Sequence, residues 1–317
     1  MKKKILIIGG TGFIGFNLIK KLKKLNYSVS SISLKKPYKI RKVKNVKYFT
    51  CDISKKKNIE KVLDNKNYNF VVNLGGYVDH SNKKKTYNSH YLGLKNLANY
   101  FIKKNIIKFI QIGSSLENGK IKSPQKENHN SKVGDIKSVY GKSKLLASKY
   151  LLKMNRDYKF PSTIFRLFQT YGPGQEPNRV ISFSILQCLQ NKKFPCSNGN
   201  QFRDFIFIED VVNLIILSLK NKKSNGKIYN LGFGKPIKIK TTINKINKII
   251  KKGKPLFGKI KLRKDEMKFI YSNIEELRKD FNWRPLVNIN KGLIKTIKFE
   301  QKNYEKWFIG NCNSKLL

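Results

Sequence analysis

The sequence predicts an α/β fold built on a doubly wound parallel sheet, with a smaller C-terminal part interleaved with that sheet. Short apolar runs alternate with amphipathic stretches through the first half of the 317-residue chain. The runs are almost continuously apolar, as is typical of parallel strands covered on both faces. A glycine-rich turn joins the first run to the first amphipathic stretch. Because crossovers between parallel strands are right-handed, these elements indicate a doubly wound arrangement.

The elements follow one another regularly as far as residue 168. Strands are predicted from the apolar runs, and helices from the amphipathic stretches between them. The predicted strands are KKILIIGG, SVSSISL, VKYFTCDI, NFVVNLGG, IKFIQIGSS and FPSTIFRLF. The predicted helices are FIGFNLIKKLKKL, LGLKNLANYFIKKN and a segment over about residues 138–154.

Gly9, Gly12 and Gly15 give a GxxGxxG spacing between the first strand and the first helix. Gly9 allows a tight turn, Gly12 lets the backbone approach a pyrophosphate, and Gly15 lets the helix pack closely on the sheet. The N-terminus of the helix would then offer free N–H groups and its positive dipole end to an anion. This placement predicts a dinucleotide-binding Rossmann domain, with an ordinary glycine-rich turn as the alternative.

The strand–helix alternation ends at the turn-rich segment YGPGQEPN. Beyond it, short helices and strands mix without a regular order. We therefore predict a Rossmann domain over residues 1–168, with a returning segment near residues 204–232. Residues 169–317 are predicted to form an interleaved substrate-binding domain.

The chain carries 68 Lys and Arg against 19 Asp and Glu, a formal net charge of +49. One interpretation is a nucleic-acid binder, and the other is a genome that favours Lys, Asn and Ile codons. We prefer the second, because the lysines are spread along the whole chain. In either case the charge would attract anionic substrates.

Targeting, membrane and metal signals are weak. No apolar run approaches a membrane span, and the first one is too short for a signal-peptide core. The four cysteines show no CxxC spacing, and His80, His90 and His129 lack partners at metal-ligand spacing. We expect a cytoplasmic protein with free thiols and no metal.

The segment YGKSK places Tyr140 four residues before Lys144. Four of the 15 tyrosines have Lys at this spacing, and chance alone would give roughly three. The pair therefore takes its meaning from the rest of the sequence. On a helix the two residues would share one face, where an ammonium group can stabilise a phenolate and lower the tyrosine pKa.

Seven ordered motifs across nearly the whole chain resemble the extended short-chain dehydrogenase/reductase family. They resemble in particular its NAD-dependent epimerase/dehydratase branch, which acts on nucleotide sugars. The motifs are the glycine turn, CDIS, NLGG, IGSS with YGKSK, RLFQTYGPGQ, NGNQFRDFIFIEDVV, and YNLG with FNWRP. Within the fourth motif, Tyr140 and Lys144 follow Ser114 by 26 and 30 residues.

The resemblance implies a catalytic site of Ser114, Tyr140 and Lys144, with Ser115 as the alternative serine. Tyr140 would exchange a proton with the substrate while hydride moves to or from the nicotinamide. Lys144 would also bond the nicotinamide ribose. The implied cofactor-binding residues are Gly9, Gly12, Phe13, Ile14, Gly15, Ser33, Asp52, Ile53, Leu74, Gly75, Tyr140 and Lys144.

Arg203 and Arg263 match arginines that bind the diphosphate of the nucleotide in this family. A planar guanidinium can hold phosphate oxygens with two parallel hydrogen bonds. The alternative for either residue is an ion pair with Asp204 or Asp265. Arg166 lies within an apolar strand, which favours a structural role.

The sequence departs from the family pattern at three positions. His90 and Gln169 stand where Asn is usual, and the second strand ends in Ser33 rather than an acidic residue. An uncharged residue followed by Lys35 and Lys36 accepts a 2′-phosphate better than a carboxylate would, which favours NADP over NAD. Glu117 is interpreted as a loop residue, because the carboxyl doublet of sugar 4,6-dehydratases is absent after Ser114.

Three functions remain open. We favour a 4-ketoreductase resembling CDP-abequose synthase, acting at C4 of a nucleotide-linked hexose. A 4-epimerase with tightly bound NAD is the alternative, and an RNA-binding protein on the same scaffold is the alternative from another class. The presence of Tyr140, Lys144 and Ser114 argues against RNA binding, because a protein with that role is expected to lose the Tyr/Lys pair. The resemblance also implies a homodimer through about residues 88–104 and 138–154.

Overall fold

The computed structural model describes residues 2–77, 79–128, 131–262 and 266–309, with side chains described up to residue 303. The strands, numbered along the chain, are β1 (Lys4–Ile8), β2 (Ser28–Ser33), β3 (Lys47–Thr50), β4 (Phe70–Asn73), β5 (Lys108–Ser114), β6 (Ser162–Leu167), β7 (Gln169–Tyr171), β8 (Lys193–Pro195), β9 (Phe202–Arg203), β10 (Phe205–Phe207), β11 (Lys227–Leu231), β12 (Ile237–Lys238), β13 (Lys254–Leu256) and β14 (Phe269–Ile270).

The α-helices are numbered in the same way. They are α1 (Phe13–Lys24), α2 (Lys56–Leu63), α3 (Lys83–Tyr87), α4 (Gly93–Phe101), α5 (Val139–Tyr158), α6 (Val180–Leu189), α7 (Ile208–Ser218), α8 (Ile239–Ile250), α9 (Glu275–Phe281) and α10 (Ile289–Ile309). A π-helical turn over Asn88–Leu92 joins α3 to α4.

Seven parallel strands form the central sheet, in the order β11-β6-β5-β4-β1-β2-β3. From β1 the chain moves through β2 and β3 to one side, and then returns to the other side of β1 with β4. This reversal opens a crevice at the carboxyl ends of β1 and β4, where α/β sheets bind their ligands. The predicted fold class is confirmed.

The core lies in two layers, one on each face of the sheet. In β1, Ile5 and Ile7 belong to one apolar cluster, and Leu6 and Ile8 belong to the other. The first cluster includes residues of α1, α6 and α7, whereas the second includes residues of α2, α4 and α5. Because β1 is covered on both faces, its apolar residues need no polar alternation.

Several helix bounds differ from the sequence prediction. The helix predicted from residue 92 is preceded by α3 and the π-helical turn, and α3 begins after Asn82, whose side chain accepts from the backbone N–H of Lys85 at 2.9 Å. The helix α5 continues to Tyr158, beyond the predicted residue 154. The helix α2 was not predicted, because it buries only Ile59 and Leu63 in a lysine-rich stretch.

The segment after β6 forms three small sheets, with strand orders β10-β7, β12-β9-β14 and β13-β8. The chain also returns to the central sheet, where β11 pairs with β6. The division at residue 168 stays a prediction. Among the described residues, no helix combines the length and apolar character that crossing a bilayer requires.

Asp204, which directly follows β9, ties the small sheets to the central one. Its carboxylate accepts from the backbone N–H groups of Phe233 (2.6 Å), Gly234 (3.1 Å) and Ser272 (3.0 Å), and from the Ser272 hydroxyl (2.5 Å). Asp204 is fully buried, and a Cβ at Gly232 would lie 2.3 Å from its Oδ2. The loop after β11 is therefore built around this carboxylate.

We predict that Asp204→Ala lowers the free energy of unfolding by about 3 kcal/mol, because it leaves buried N–H groups without acceptors. Urea unfolding followed by circular dichroism measures this change. Asp79→Ala is the matched control: Asp79 also accepts from a serine N–H and hydroxyl, but it is exposed. Equal unfolding midpoints for Asp204→Ala and the wild type would contradict the prediction.

Candidate active site

The glycine turn after β1 is packed too closely for larger residues. Gly9 has a φ of 79°, and a Cβ there would lie 3.0 Å from the Gly75 backbone. A Cβ at Gly15 would lie 2.4 Å from the Gly9 carbonyl oxygen. Gly12 is the N-cap of α1, and the first turn of α1 has neither a capping side chain nor an acidic residue. These features fit an anion at the helix N-terminus.

The other predicted cofactor residues lie in the first turn of α1 or at and just after the carboxyl ends of β2, β3 and β4. The Ser33 hydroxyl, at the end of β2, accepts weakly from the backbone N–H of Thr11 at 3.4 Å. Asp52 accepts from the N–H and hydroxyl of Ser54. A Cβ at Gly75 would lie 3.5 Å from the Ile53 side chain. Phe13, Ile14 and Leu74 belong to or pack against the first apolar cluster.

The three predicted catalytic residues come together where β5 ends and α5 begins. Ser114 is the last residue of β5, and Tyr140 lies in the first turn of α5. The Ser114 side chain lies close enough to the Tyr140 hydroxyl to lower the pKa of Tyr140. Lys144, 4% exposed, donates its Nζ–H to the Ile112 carbonyl at 2.7 Å. Ser115, the alternative serine, has no side-chain hydrogen bond within the described residues.

The expected lowering of the tyrosine pKa by lysine is not found, because Lys144 is not among the groups that act on the Tyr140 pKa. Burial raises the pKa of Tyr140, and the Ser114 side chain offsets only part of that rise. The Lys144 ammonium lies 5.9 Å from the phenol ring centroid and is held by a carbonyl instead. Burial also lowers the pKa of Lys144 to about 8. Tyr140 is therefore a neutral phenol in the resting protein.

Two histidines enclose the phenol ring. The His80 ring stacks on Tyr140 with centroids 4.0 Å apart and 17° between planes, while His90 meets it edge-on at 4.9 Å. His90 Nε2 lies 3.2 Å from the Tyr77 carbonyl, so Nε2 carries the hydrogen. Burial lowers the pKa of His90 to about 2, which keeps its ring neutral.

Glycine at position 76 makes room for the second histidine. A Cβ at Gly76 would lie 1.8 Å from Cε1 of His90. The π-helical turn sets His90 in this place, and such turns often occur at functional sites. The sequence drew attention to His90 as a departure from the family pattern but gave His80 no role. Stacking of His80 depends on a loop conformation that has no sequence signal.

Arg203 and Arg263 are the two arginines predicted to bind the substrate diphosphate, and the structure describes only Arg203. Arg203 is buried and pairs with Glu266 rather than Asp204, and its guanidinium also donates to the carbonyls of Phe202 (2.8 Å) and Met267 (3.0 Å). The expected alternative partner, Asp204, is instead occupied by backbone N–H groups. Arg263 lies outside the described residues, as do Asp265 and His129.

Arg179 was missed by sequence reasoning. It is exposed, directly precedes α6, and acts electrostatically on both Tyr140 and His80. Within the part of the chain that the structure describes, its guanidinium has no ion-pair partner. Its place in YGPGQEPNRVI, directly after a turn-rich segment, is the only signal that could have pointed to it.

Comparison with known proteins decides the family. The sequence model of the NAD dependent epimerase/dehydratase family matches residues 5–232. The chain belongs to this family. The predicted family and the prediction of an enzyme are both confirmed.

Other members of the NAD dependent epimerase/dehydratase family show the range of relatives. The human dTDP-D-glucose 4,6-dehydratase is 26% identical over 328 residues, covering 96% of this chain and 92% of the relative. CDP-abequose synthase of Salmonella typhimurium is 33% identical over 140 residues, covering 42% of this chain and 46% of the relative. A UDP-glucose 4-epimerase structure from Thermotoga maritima has a TM-score of 0.88 at 21% identity, covering 95% of this chain and 99% of that chain.

Proposed function

We propose that this enzyme transfers hydride at C4 of a nucleotide-linked hexose, in the direction of a 4-ketoreductase. The observation that carries the proposal is the meeting of Ser114, Tyr140 and Lys144 beside the glycine turn. Continuous contacts support it: Gly9 approaches Gly75, Gly76 adjoins His90, and the His90 ring meets Tyr140. A dinucleotide along the crevice would thus end at the phenol.

The residues of the crevice fit a nicotinamide dinucleotide. Its pyrophosphate would lie at the uncapped N-terminus of α1, and Lys144 would hold the nicotinamide ribose. When bound, the dinucleotide supplies the hydride donor or acceptor. Tyr140 would donate its phenolic proton to the C4 oxygen during ketone reduction and accept a proton during alcohol oxidation. Ser114, whose side chain acts on the Tyr140 hydroxyl, would hold the same C4 oxygen in place.

Dehydration is disfavoured, although dehydratases are among the relatives. Ser115 and Leu116 follow Ser114, and neither can act as a carboxyl acid or base. Glu117 is fully buried, and both of its carboxylate oxygens are occupied by protein donors. Within the described turn that follows Ser114, no carboxylate is therefore free to remove a proton from the sugar.

The diphosphate of the substrate would be held by Arg203 and Arg263. Arg179 would add a third cation at the edge of the site, since its charge already acts on Tyr140. The net charge of +49 supports rapid capture of such an anionic substrate. The family assignment favours this use of the charge over the RNA-binding alternative.

The 4-epimerase is the second candidate. It is favoured by the similarity to epimerases over nearly the full length of the chain. The same Ser114, Tyr140 and Lys144 would serve both directions of hydride transfer. An epimerase would retain NAD through each turnover, whereas the reductase would consume NADPH.

The proposed subunit arrangement is a homodimer through about residues 88–104 and 138–154. Tyr87 and Tyr91 form an aromatic pair near this surface, and Tyr87 is 36% exposed. Light scattering should give the mass of two chains, and a single-chain mass at micromolar concentration would contradict the arrangement.

We predict that one 4-keto sugar nucleotide from a panel of CDP-, GDP-, UDP- and dTDP-sugars will oxidise NADPH. The fall in NADPH absorbance measures the reaction, and NMR identifies the product. Tyr140→Phe should lower kcat about 100-fold or more, because the proton donor is lost. Tyr158→Phe, an exposed change on the same helix, is the control. Interconversion of C4 epimers with no net NADPH use would instead identify the epimerase. Unchanged turnover by the Tyr140→Phe variant would contradict both the reductase and the epimerase proposals.

We predict that Ser33→Asp reverses the cofactor preference. A carboxylate at the end of β2 would repel a 2′-phosphate and accept from a free ribose hydroxyl, so NADPH binding should weaken at least about 10-fold relative to NADH. Fluorescence titration with both cofactors measures the ratio. Ser28→Asp, at the exposed start of the same strand, is the control. A ratio equal to that of the wild type would show that Ser33 does not face the 2′ position.

A further inference from the structure

Glu117 is a fully buried carboxylate directly beneath the catalytic site. It lies in the 3-10 turn Ser115–Asn118 that follows β5 and is 0% exposed. Its Oε1 accepts from the backbone N–H of Ser114 at 2.8 Å. Its Oε2 accepts from the Ser148 hydroxyl at 2.7 Å and from Arg166 Nε at 3.2 Å. Burial raises the pKa of Glu117, and these donors, Arg166 first among them, act against that rise and favour the carboxylate.

Ser114 is held by two hydrogen bonds, one of which is made to the Glu117 carboxylate. Oε1 of Glu117 holds the serine backbone, while the serine hydroxyl accepts from the Leu116 N–H at 3.2 Å in the same turn. Glycine at position 113 is needed for this arrangement, since a Cβ there would lie 2.3 Å from Oε1 of Glu117. Ser114 therefore has little freedom to leave the place where it meets Tyr140.

The same carboxylate balances two buried cations. Arg166, 3% exposed, pairs with Glu117 and also donates to Asn118 Oδ1 at 2.8 Å. Lys144 lies close enough for Glu117 to raise its pKa against the effect of burial. A buried ammonium without such a counter-charge would tend to lose its proton. Glu117 is thus the one carboxylate among the described residues that offsets the charge of Lys144.

We propose that Glu117 is a positioning residue of the active site, which holds Ser114 in register with Tyr140. The proposal rests on the proposed function for its kinetic consequence, but not for its electrostatic one. It assigns to Glu117 a role that sequence reasoning did not, because a loop residue was expected there.

Glu117→Gln tests the kinetic consequence. The amide keeps the size of the side chain but removes its charge. We expect kcat to fall about 10- to 100-fold, since a catalytic group misplaced by about 1 Å can lower the rate about 100-fold. The KM values should stay within about twofold, and the high-pH limb of the kcat profile should move to lower pH as Lys144 loses its proton earlier. An unchanged kcat and pH profile would overturn the proposal.

Ser148→Ala is a milder test that avoids a folding defect. It removes one donor to Glu117 from the buried face of α5, and it should lower kcat by a smaller factor in the same direction. Ser143→Ala is the matched control, because Ser143 is buried on the same helix but donates to the Val139 carbonyl. Equal kcat values for the two serine variants would count against the proposal.

An electrostatic readout separates this proposal from the proposed function. The experiment uses protein without added cofactor, in the wild type and in Glu117→Gln. In each case, the ultraviolet spectrum is compared with that of the same protein carrying Tyr140→Phe, and the difference follows ionisation of the Tyr140 phenol. Since the Glu117 charge raises the pKa of Tyr140, the phenol should ionise at lower pH in Glu117→Gln. This shift is expected even if no sugar nucleotide is turned over. A phenol that titrates identically in both backgrounds would overturn the role of Glu117.

Discussion

The buried ammonium of Lys144 is the constraint on which the site depends. Burying a lysine is unfavourable, and here it is sustained by the Ile112 carbonyl at the end of β5 and by the nearby Glu117 carboxylate. Both partners belong to one strand and the turn that follows it, so β5 must meet α5 closely for the charge to persist. The doubly wound sheet provides this meeting, because it ends β5 beside the crevice that the glycine turn opens.

This arrangement raises the pKa of Tyr140 and keeps its phenol protonated at neutral pH. Burial outweighs the effect of the Ser114 side chain, and the two histidine rings cover the phenol without supplying charge. In the proposed reaction the phenol gives its proton to the C4 oxygen as hydride leaves the nicotinamide and positive charge develops on that ring. Proton transfer by Tyr140 would then be coupled to hydride transfer.

The sequence was informative where a pattern repeats. Six strands of the central sheet follow from their apolar runs, and Ser114, Tyr140 and Lys144 follow from ordered motifs rather than from the Tyr/Lys spacing, which chance could produce. The contacts of single polar residues could not be predicted from the sequence. Glu117 stands in a polar stretch with no periodicity, and only the fold shows that Arg166 comes from β6 to meet it. The stacking of His80 and the partner of Arg203 likewise depend on loops brought together from distant parts of the chain.

Titration of Tyr140 with and without oxidised cofactor tests the central claim most directly. The ultraviolet difference between the wild type and Tyr140→Phe isolates this phenol from the other tyrosines, and saturating NAD⁺ or NADP⁺ provides the second state. The account predicts ionisation above the ordinary tyrosine range in the free protein and at a clearly lower pH in the complex. The same pKa in both states would show that the phenol does not sense the nicotinamide, and it would contradict the account.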